Sequence, residues 1–154
     1  MSMLAAGDRA PEFRLTDGAG QTFDTADARG KPLVVFFYPK DATPGCTAEA
    51  CAFRDAYEDF VASGATVVGI SSDDAASPAG FAGKHRLPFR LLSDVDGSVR
   101  TAFGVPKTWG LMPGRVTFVI DSGGVIRHAF NSQFLATAHA ARALDVVRGL
   151  AAPA

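Results

Sequence analysis

Apolar and polar positions along the chain follow the patterns of short strands and amphipathic helices. The longest apolar run, Leu33–Tyr38, is rich in β-branched and aromatic residues, and it predicts a central strand covered on both faces. Before it, Glu12–Leu15 and Gln21–Phe23 are joined by the turn-forming segment Asp17–Gly20, so an N-terminal β-hairpin is predicted.

The rest of the chain alternates between helix and strand patterns. From Cys46 onward, apolar residues recur every three or four positions and predict a helix with one buried stripe, formed by Cys46, Ala50, Phe53, Tyr57 and Phe60. Cys51 falls outside this stripe, among charged residues. Later patterns predict a strand at Thr66–Ser71, a helix at about Pro78–His85, a short strand at Phe89–Leu92, a helical turn near Val99–Phe103, strands at Arg115–Ile120 and Val125–Phe130 around a tight turn at Asp121–Gly124, and a last helix at about Thr137–Leu150. The order of elements predicts an α/β sandwich with a mixed sheet, in a single domain spanning residues 1–154.

Composition narrows the function classes. The 154 residues carry a net charge of −1, so the chain has no electrostatic reason to bind nucleic acid or an anionic membrane. Its longest apolar run is far shorter than the roughly 20 residues of a membrane span, and its first ten residues lack a secretory signal pattern. We therefore expect a cytoplasmic protein, and in a reducing cytosol a lone cysteine pair is typical of catalysis or redox sensing.

The two cysteines of the chain, Cys46 and Cys51, begin the predicted helix. If Thr43 is the N-cap, Pro44 takes the first helical position and Cys46 the third. Free backbone N–H groups and the helix dipole favour a negative charge there by about 1 kcal/mol, which lowers the pKa of the Cys46 thiol. The Thr43 hydroxyl can also donate a hydrogen bond to the thiolate or to an oxygen substrate.

The spacing of the cysteines predicts motion. Residues five apart in a regular helix have Cα atoms about 8.7 Å apart. A disulfide needs Cα atoms within about 7 Å. If Cys46 and Cys51 join during turnover, the first helical turns must unwind.

These residues resemble a known signature. Pro39, Thr43 and Cys46 have the spacing of the active-site motif of peroxiredoxins, and Cys51 five residues later resembles the peroxiredoxin Q type, also called bacterioferritin comigratory protein. The resemblance covers roughly residues 7–149 and includes four further segments: Phe36–Asp41, Leu92–Asp94, Arg115–Asp121 and Asn131–Phe134. The segment Val105–Gly114 looks shorter than in many members of that family.

The resemblance implies a thioredoxin-like sandwich, with a central mixed sheet flanked by helices and an N-terminal hairpin extension. It implies a thiol-dependent peroxidase that reduces hydrogen peroxide and organic hydroperoxides without metal, haem or flavin. Cys46 would be the peroxidatic nucleophile and Cys51 the resolving cysteine, forming an intramolecular disulfide that thioredoxin or a similar dithiol reduces. Thr43 would hydrogen-bond the peroxide, Pro39 would shield the pocket, and Arg115 would stabilise the thiolate and the leaving oxygen. A monomer is expected, with a dimer as the alternative.

Simpler interpretations stand beside these roles. Two cysteines alone are more often buried small hydrophobic residues, Arg115 alone would be a surface or salt-bridging residue, and Thr43 and Pro39 also suit an ordinary helix cap and strand terminator. Two rival functions are a non-catalytic redox sensor and a general thiol-disulfide oxidoreductase, although the latter lacks the usual Cys-x-x-Cys spacing.

Three other patterns have structural interpretations. Asp121–Gly124 echoes a protease motif but suits a hairpin turn, Asp94–Gly97 is a calcium-loop fragment that suits a turn before a helix, and the three histidines lack zinc-ligand spacing.

Overall fold

A computed structural model describes residues 4–16, 21–28, 30–37, 51–71, 89–94, 97–105, 107–108, 112–113, 116–131 and 138–151. The strands are β1 (Arg14–Thr16), β2 (Thr22–Asp24), β3 (Leu33–Phe37), β4 (Thr66–Ser71), β5 (Arg90–Ser93), β6 (Lys107–Thr108), β7 (Met112–Pro113), β8 (Val116–Ile120) and β9 (Ile126–Asn131). The helices are α1 (Tyr57–Ala62), α2 (Ser98–Phe103) and α3 (Ala138–Ala151), with a 3-10 turn at Thr25–Ala28. Residues 51–55 are also helical and lead into α1.

The main sheet has five strands in the order β5-β4-β3-β8-β9. Strands β3, β4 and β5 are parallel, while β8 runs antiparallel to β3 and β9 antiparallel to β8. Every residue of β3 is buried, as the continuous apolar run predicted for a central strand. The predicted mixed sheet and the N-terminal hairpin, β1 with β2, are both confirmed.

Side chains from the two faces of the sheet enter two core layers. The first layer, under residues 51–62 and α3, contains Val34, Phe36, Phe53, Phe60, Ala65, Val67, Phe89, Leu91, Val119, Ala140, Ala143, Leu144 and Val147. The second layer, under α2 and the N-terminal segment, contains Phe13, Phe23, Ala28, Leu33, Val35, Phe37, Val68, Ile70, Leu92, Val99, Phe103, Val105, Val116, Phe118, Ile120 and Ile126. Alternate residues of β3 therefore serve opposite layers, because successive strand side chains point to opposite faces.

The β8–β9 connection is a hairpin turn, as predicted. Asp121 Oδ1 accepts hydrogen bonds from the N–H groups of Gly123 (2.9 Å) and Val125 (3.0 Å), and Gly124 adopts φ 89°. Partial burial raises the pKa of the Asp121 carboxyl, but these bonds and the Arg127 guanidinium outweigh burial and lower that pKa overall. The Asp121 carboxylate therefore stabilises the hairpin turn, which is the structural role predicted for Asp121–Gly124.

The remaining elements agree with the sequence patterns, with one addition. Strands β4 and β5 and helices α2 and α3 lie at their predicted places, within one or two residues at each end. The short β6–β7 pairing inside Val105–Gly114 was not predicted. The predicted Pro78–His85 helix lies outside the described residues. Within the described part of the chain, no helix is both long and apolar enough to cross a membrane.

Candidate active site

The sequence segments that contain the predicted site residues adjoin the edge of the sheet where β3 ends. Phe37, the last residue of β3, pairs with Ile70 of β4 and Val116 of β8. In the sequence, Phe37 precedes the segment that contains Pro39, Thr43 and Cys46, and Val116 follows Arg115 directly. The structure therefore pairs the two described positions that flank the predicted site residues. Pro39, Thr43, Cys46 and Arg115 themselves lie outside the described residues.

Cys51 is the described member of the predicted cysteine pair. It is the first described residue of the helical segment 51–55, carries a free thiol and is half-buried. Arg54 is also half-buried and Asp55 is exposed, whereas Phe53 is fully buried. This pattern confirms that Cys51 lies off the buried stripe of the helix.

A stack of aromatic rings anchors the helix directly after Cys51. The Phe53 ring stacks on Phe36 of β3, with centroids 4.4 Å apart and an interplanar angle of 9°. Phe60 lies 5.8 Å from Phe53, and Phe89 lies edge-on at 6.5 Å. Because stacked aromatic pairs add roughly 0.5–1.5 kcal/mol to the gain from burial, Phe53 ties its helical turn firmly to the sheet. Cys51 lies two residues before this anchor.

A turn at Ala56 joins the helical residues 51–55 to α1. The Ala56 N–H donates to the Ala52 carbonyl, and the Phe60 N–H donates to the Ala56 carbonyl, both at 3.1 Å. Residues 51–62 thus form hydrogen-bonded turns whose buried side faces the sheet and whose first described residue is the cysteine.

The sheet makes room for this stack at Gly69 of β4. Gly69 pairs with Phe36 in β3, and a Cβ atom built on it would come within 2.6 Å of the Phe36 ring. Real Cβ atoms do not approach so closely, so the ring occupies the space that a side chain would need.

A buried polar pair lies in the same layer. Thr117 of β8 and His139 of α3 are both inaccessible to solvent, and Thr117 Oγ1 is 2.7 Å from His139 Nδ1. Thr117 pairs with Phe36 on one side and Phe130 on the other, and the His139 ring packs edge-on against Phe130 at 4.6 Å. The sequence analysis missed this pair, because a histidine on an apolar helix face gives no sign of its partner in a distant strand.

The described residues contain no group of three or more His, Cys, Asp or Glu side chains arranged to hold a metal ion. Among the described residues, Cys51 is the one that carries a thiol.

Comparison with known proteins identifies the family. The model of the AhpC/TSA family matches residues 6–129. The chain belongs to the AhpC/TSA family. Its relatives place it among the peroxiredoxins of the Q type. The chloroplastic peroxiredoxin Q of Triticum aestivum is 47% identical over 148 residues, which cover 96% of this chain and 68% of the relative.

Two solved peroxiredoxin structures share the fold. Peroxidoxin BcpB of Mycobacterium tuberculosis is 38% identical with a TM-score of 0.88, covering 96% of this chain and 98% of that one. The bacterioferritin comigratory protein of Xanthomonas campestris, described for its alkyl peroxide reduction activity, is 30% identical with a TM-score of 0.84, covering 91% and 92%. The predicted thioredoxin-like sandwich is thereby confirmed.

As a peroxiredoxin of the Q type, the protein is a thiol-dependent peroxidase. Its family implies a peroxide substrate and a thioredoxin-like reductant.

Proposed function

We propose that Cys46 is the peroxidatic cysteine of this peroxidase and that Cys51 resolves it through an intramolecular disulfide. The Cys46 thiolate attacks one peroxide oxygen, the O–O bond breaks, and the other oxygen leaves as water or an alcohol after taking a proton. The sulfur becomes a sulfenic acid. The Cys51 sulfur then attacks it and releases water, and thioredoxin or a similar dithiol reduces the disulfide while being oxidised itself.

The observation that carries this proposal is the position of Cys51. It is a free, half-buried thiol in the helical segment 51–55, two residues before the fully buried Phe53. Residues before an anchored helical turn can unwind at the cost of a few hydrogen bonds, whereas unwinding past Phe53 would break its ring stack. A resolving cysteine must lie where the helix can unwind. In a regular helix the Cα atoms of Cys46 and Cys51 would be about 2 Å too far apart for a disulfide.

The other residue roles follow the motif. Thr43 hydrogen-bonds the peroxide, Pro39 shields the pocket, and Arg115 stabilises the thiolate and the developing charge on the leaving oxygen. The pairing of Phe37 with Val116 supports this assignment, because the strand positions adjoining the two parts of the motif are neighbours in the sheet.

Substrate range and setting complete the proposal. Alkyl hydroperoxides are substrates beside hydrogen peroxide, in line with the activity described for the Xanthomonas campestris relative. The cycle runs within one chain, as a monomer, in the cytoplasm, where dithiol reductants keep the cysteines reduced.

A coupled assay with thioredoxin, its reductase and NADPH tests the two cysteine roles. Cys46→Ser should abolish consumption of both hydrogen peroxide and an alkyl hydroperoxide. Cys51→Ser should consume one equivalent of peroxide, gain one oxygen atom by mass spectrometry and then stop turning over with thioredoxin. Asp55→Ser, an exposed change in the same helical segment, serves as the control and should leave turnover unchanged.

Two results would contradict the assignment. If Cys46→Ser keeps its peroxidase activity, Cys46 is not the nucleophile. If Cys51→Ser turns over with thioredoxin at the parent rate, Cys51 is not the resolving cysteine. After peroxide treatment the parent protein should lose two hydrogens and still migrate as a monomer without reductant. A disulfide-linked dimer would refute the intramolecular step.

A further inference from the structure

Two histidines and an arginine surround the ring of Phe130 where α3 meets the sheet. The His128 ring lies nearly parallel to the Phe130 ring, with centroids 6.3 Å apart and an interplanar angle of 10°. The His139 ring lies edge-on to Phe130 at 4.6 Å, and the Arg142 guanidinium carbon lies 4.8 Å from the Phe130 centroid. His139 and Arg142 belong to α3, while His128 and Phe130 belong to β9, so this group joins the helix to the last strand of the sheet.

The surroundings of His128 favour its neutral form. The residue is half-buried, and its Nε2 atom is buried without a hydrogen-bond partner among the described residues. Burial lowers the pKa of the His128 imidazole below its ordinary value, and the positive charge of Arg142 lowers it further. A protonated imidazole carries a hydrogen on both ring nitrogens, so Nε2 would become a buried donor with no described acceptor.

The elements packed against His128 place a cation beside it. The charged and titratable side chains of α3 are His139, Arg142, Asp145 and Arg148. Of these, His139 and Arg142 reach Phe130, whereas Asp145 is exposed and Arg148 lies 3.7 Å from Asp59 of α1. In β8 the residue paired with His128 is Val119, which does not titrate.

The carboxylates on the other neighbouring segments have partners of their own. Asp121, in the turn before β9, lies 2.7 Å from Arg127 Nε. In the N-terminal segment, which borders β9 at Ile126, the Asp8 carboxylate accepts a hydrogen bond from the Ala5 N–H at 2.9 Å. The charge that acts on His128 is therefore that of Arg142, and it opposes protonation.

We propose that His128 makes the docking of α3 in this peroxidase sensitive to acid, holding the helix on the sheet while the imidazole is neutral and releasing it when the imidazole is protonated. The added proton charges the ring beside Arg142 and leaves the Nε2 hydrogen unpaired, so the ring turns toward water and its stack on Phe130 is lost. The helix that contacts Phe130 is then the first element to open.

Release of α3 would affect the layer that supports Cys51. Ala140, Ala143, Leu144 and Val147 of α3 pack in the first core layer together with Phe53 and Phe60 of the segment 51–62. Opening of α3 therefore removes one wall of this layer. The inference concerns the fold of the peroxidase and does not depend on the roles proposed for the two cysteines.

The direction of the pH dependence follows from the lowered pKa. The open chain binds the proton at the ordinary histidine pKa of about 6.5, whereas the closed protein binds it only at lower pH. The docking of α3 is therefore fully stable above about pH 6.5, and its stability declines as the pH falls from there through the pKa of the closed state.

Amide hydrogen exchange of the full chain, measured between about pH 7.5 and about pH 5 and corrected for intrinsic exchange rates, tests this release. In the parent protein, acidification should reduce the protection of the α3 amides several-fold more than that of the amides of β3, the central strand. His128→Phe keeps a ring beside Phe130 that cannot be protonated, so α3 should keep its protection relative to β3. His139 remains in both proteins, so its own protonation cancels in the comparison. His128→Leu gives the same test if the phenylalanine variant does not fold.

Titration of the His128 ring by NMR tests the cause. Its midpoint in the parent should lie below that of a histidine in a short peptide, and Arg142→Gln should move it to higher pH, because a repulsive charge is removed. Arg148→Gln is the matched control. It removes the same charge from the same helix, at an exposed position near Asp59, and should leave the midpoint unchanged.

Four results would overturn the inference. The first is an acid-induced loss of α3 protection in His128→Phe or His128→Leu as large as that in the parent, and the second is a loss in the parent that is no greater in α3 than in β3. The third is a His128 midpoint at or above the short-peptide value, and the fourth is an equal shift in Arg142→Gln and Arg148→Gln. Peroxide turnover tests the cysteine roles separately, so either conclusion can fail without the other.

Discussion

We expect the aromatic anchor after Cys51 to limit how far the helix unwinds during turnover. Phe53 is fully buried and contacts three other rings, so we expect unwinding to end before it. The test is Phe53→Leu, with Phe60→Leu as the control. Phe60 is equally buried in the same layer, but it lies seven residues further along the helix.

The expected loss can be worked out from the ring contacts. Phe53→Leu gives up one face-to-face stack and two weaker ring contacts, which amounts to about 2 kcal/mol of the free energy of unfolding. Any opening that breaks those contacts would become about 30-fold more favourable, since 1.4 kcal/mol corresponds to a factor of ten. Phe60→Leu weakens the same core but removes only one of the three ring contacts of Phe53, and it leaves the stack of Phe53 on Phe36 in place.

Disulfide formation after a single addition of peroxide is measured by rapid acid quench and mass spectrometry. If unwinding stops before Phe53, its contacts persist in the open state, so both variants should lose stability and yet form the disulfide at the parent rate. In the oxidised protein, amide hydrogen exchange should speed up before Phe53, while the amides of α1 keep their protection.

One result would refute this reasoning. If Phe53→Leu accelerates disulfide formation about 30-fold and Phe60→Leu does not, the unwound segment includes Phe53. The unwinding proposed for the catalytic cycle would then extend into the core.

Two further predictions concern the support of the site. Gly69→Ala should lower the free energy of unfolding by about 1–3 kcal/mol, because the new methyl group overlaps the Phe36 ring; increased stability would contradict the close packing. Thr117→Val should cost about 1–3 kcal/mol, because it removes the hydrogen-bond partner of the buried His139 Nδ1; a loss within the measurement error would contradict that bond. Urea unfolding followed by circular dichroism measures both.

Matched substitutions at open positions serve as controls. Gly149→Ala places a methyl group in open space on α3 and should stabilise the protein by up to about 1 kcal/mol. Thr16→Val lies at an exposed position of β1 and should change stability by less than about 0.5 kcal/mol.

Local sequence patterns predicted most of the strand and helix boundaries. The apolar run Leu33–Tyr38 predicted a central strand, and the three- and four-residue spacing of Phe53, Tyr57 and Phe60 predicted the side of the helix that faces the sheet. These predictions succeed because period and turn chemistry are properties of neighbouring residues. The motif around Cys46 likewise pointed to the family, which the comparisons confirm.

Side-chain contacts between distant segments were not predicted, because they do not depend on neighbouring residues. His139 and Thr117 are 22 positions apart in the sequence, and Arg100 and Phe37 are 63 positions apart. No pattern of neighbouring residues therefore indicates either contact. None of these polar residues was assigned a partner from the sequence, because the cost of burying a polar group is offset only when the other element is in place.

The sequence by itself therefore determined most of the described strands and helices, and it pointed to the family and its thiol-dependent peroxide chemistry. The tertiary structure decided the contacts between distant segments: Phe53, just after Cys51, stacks on Phe36 of the sheet, and the buried Arg100 lies over Phe37 at the end of β3. The physical reason is that an active-site motif consists of residues close together in the sequence. The packing and charge around it depend on distant segments that meet only in the folded chain.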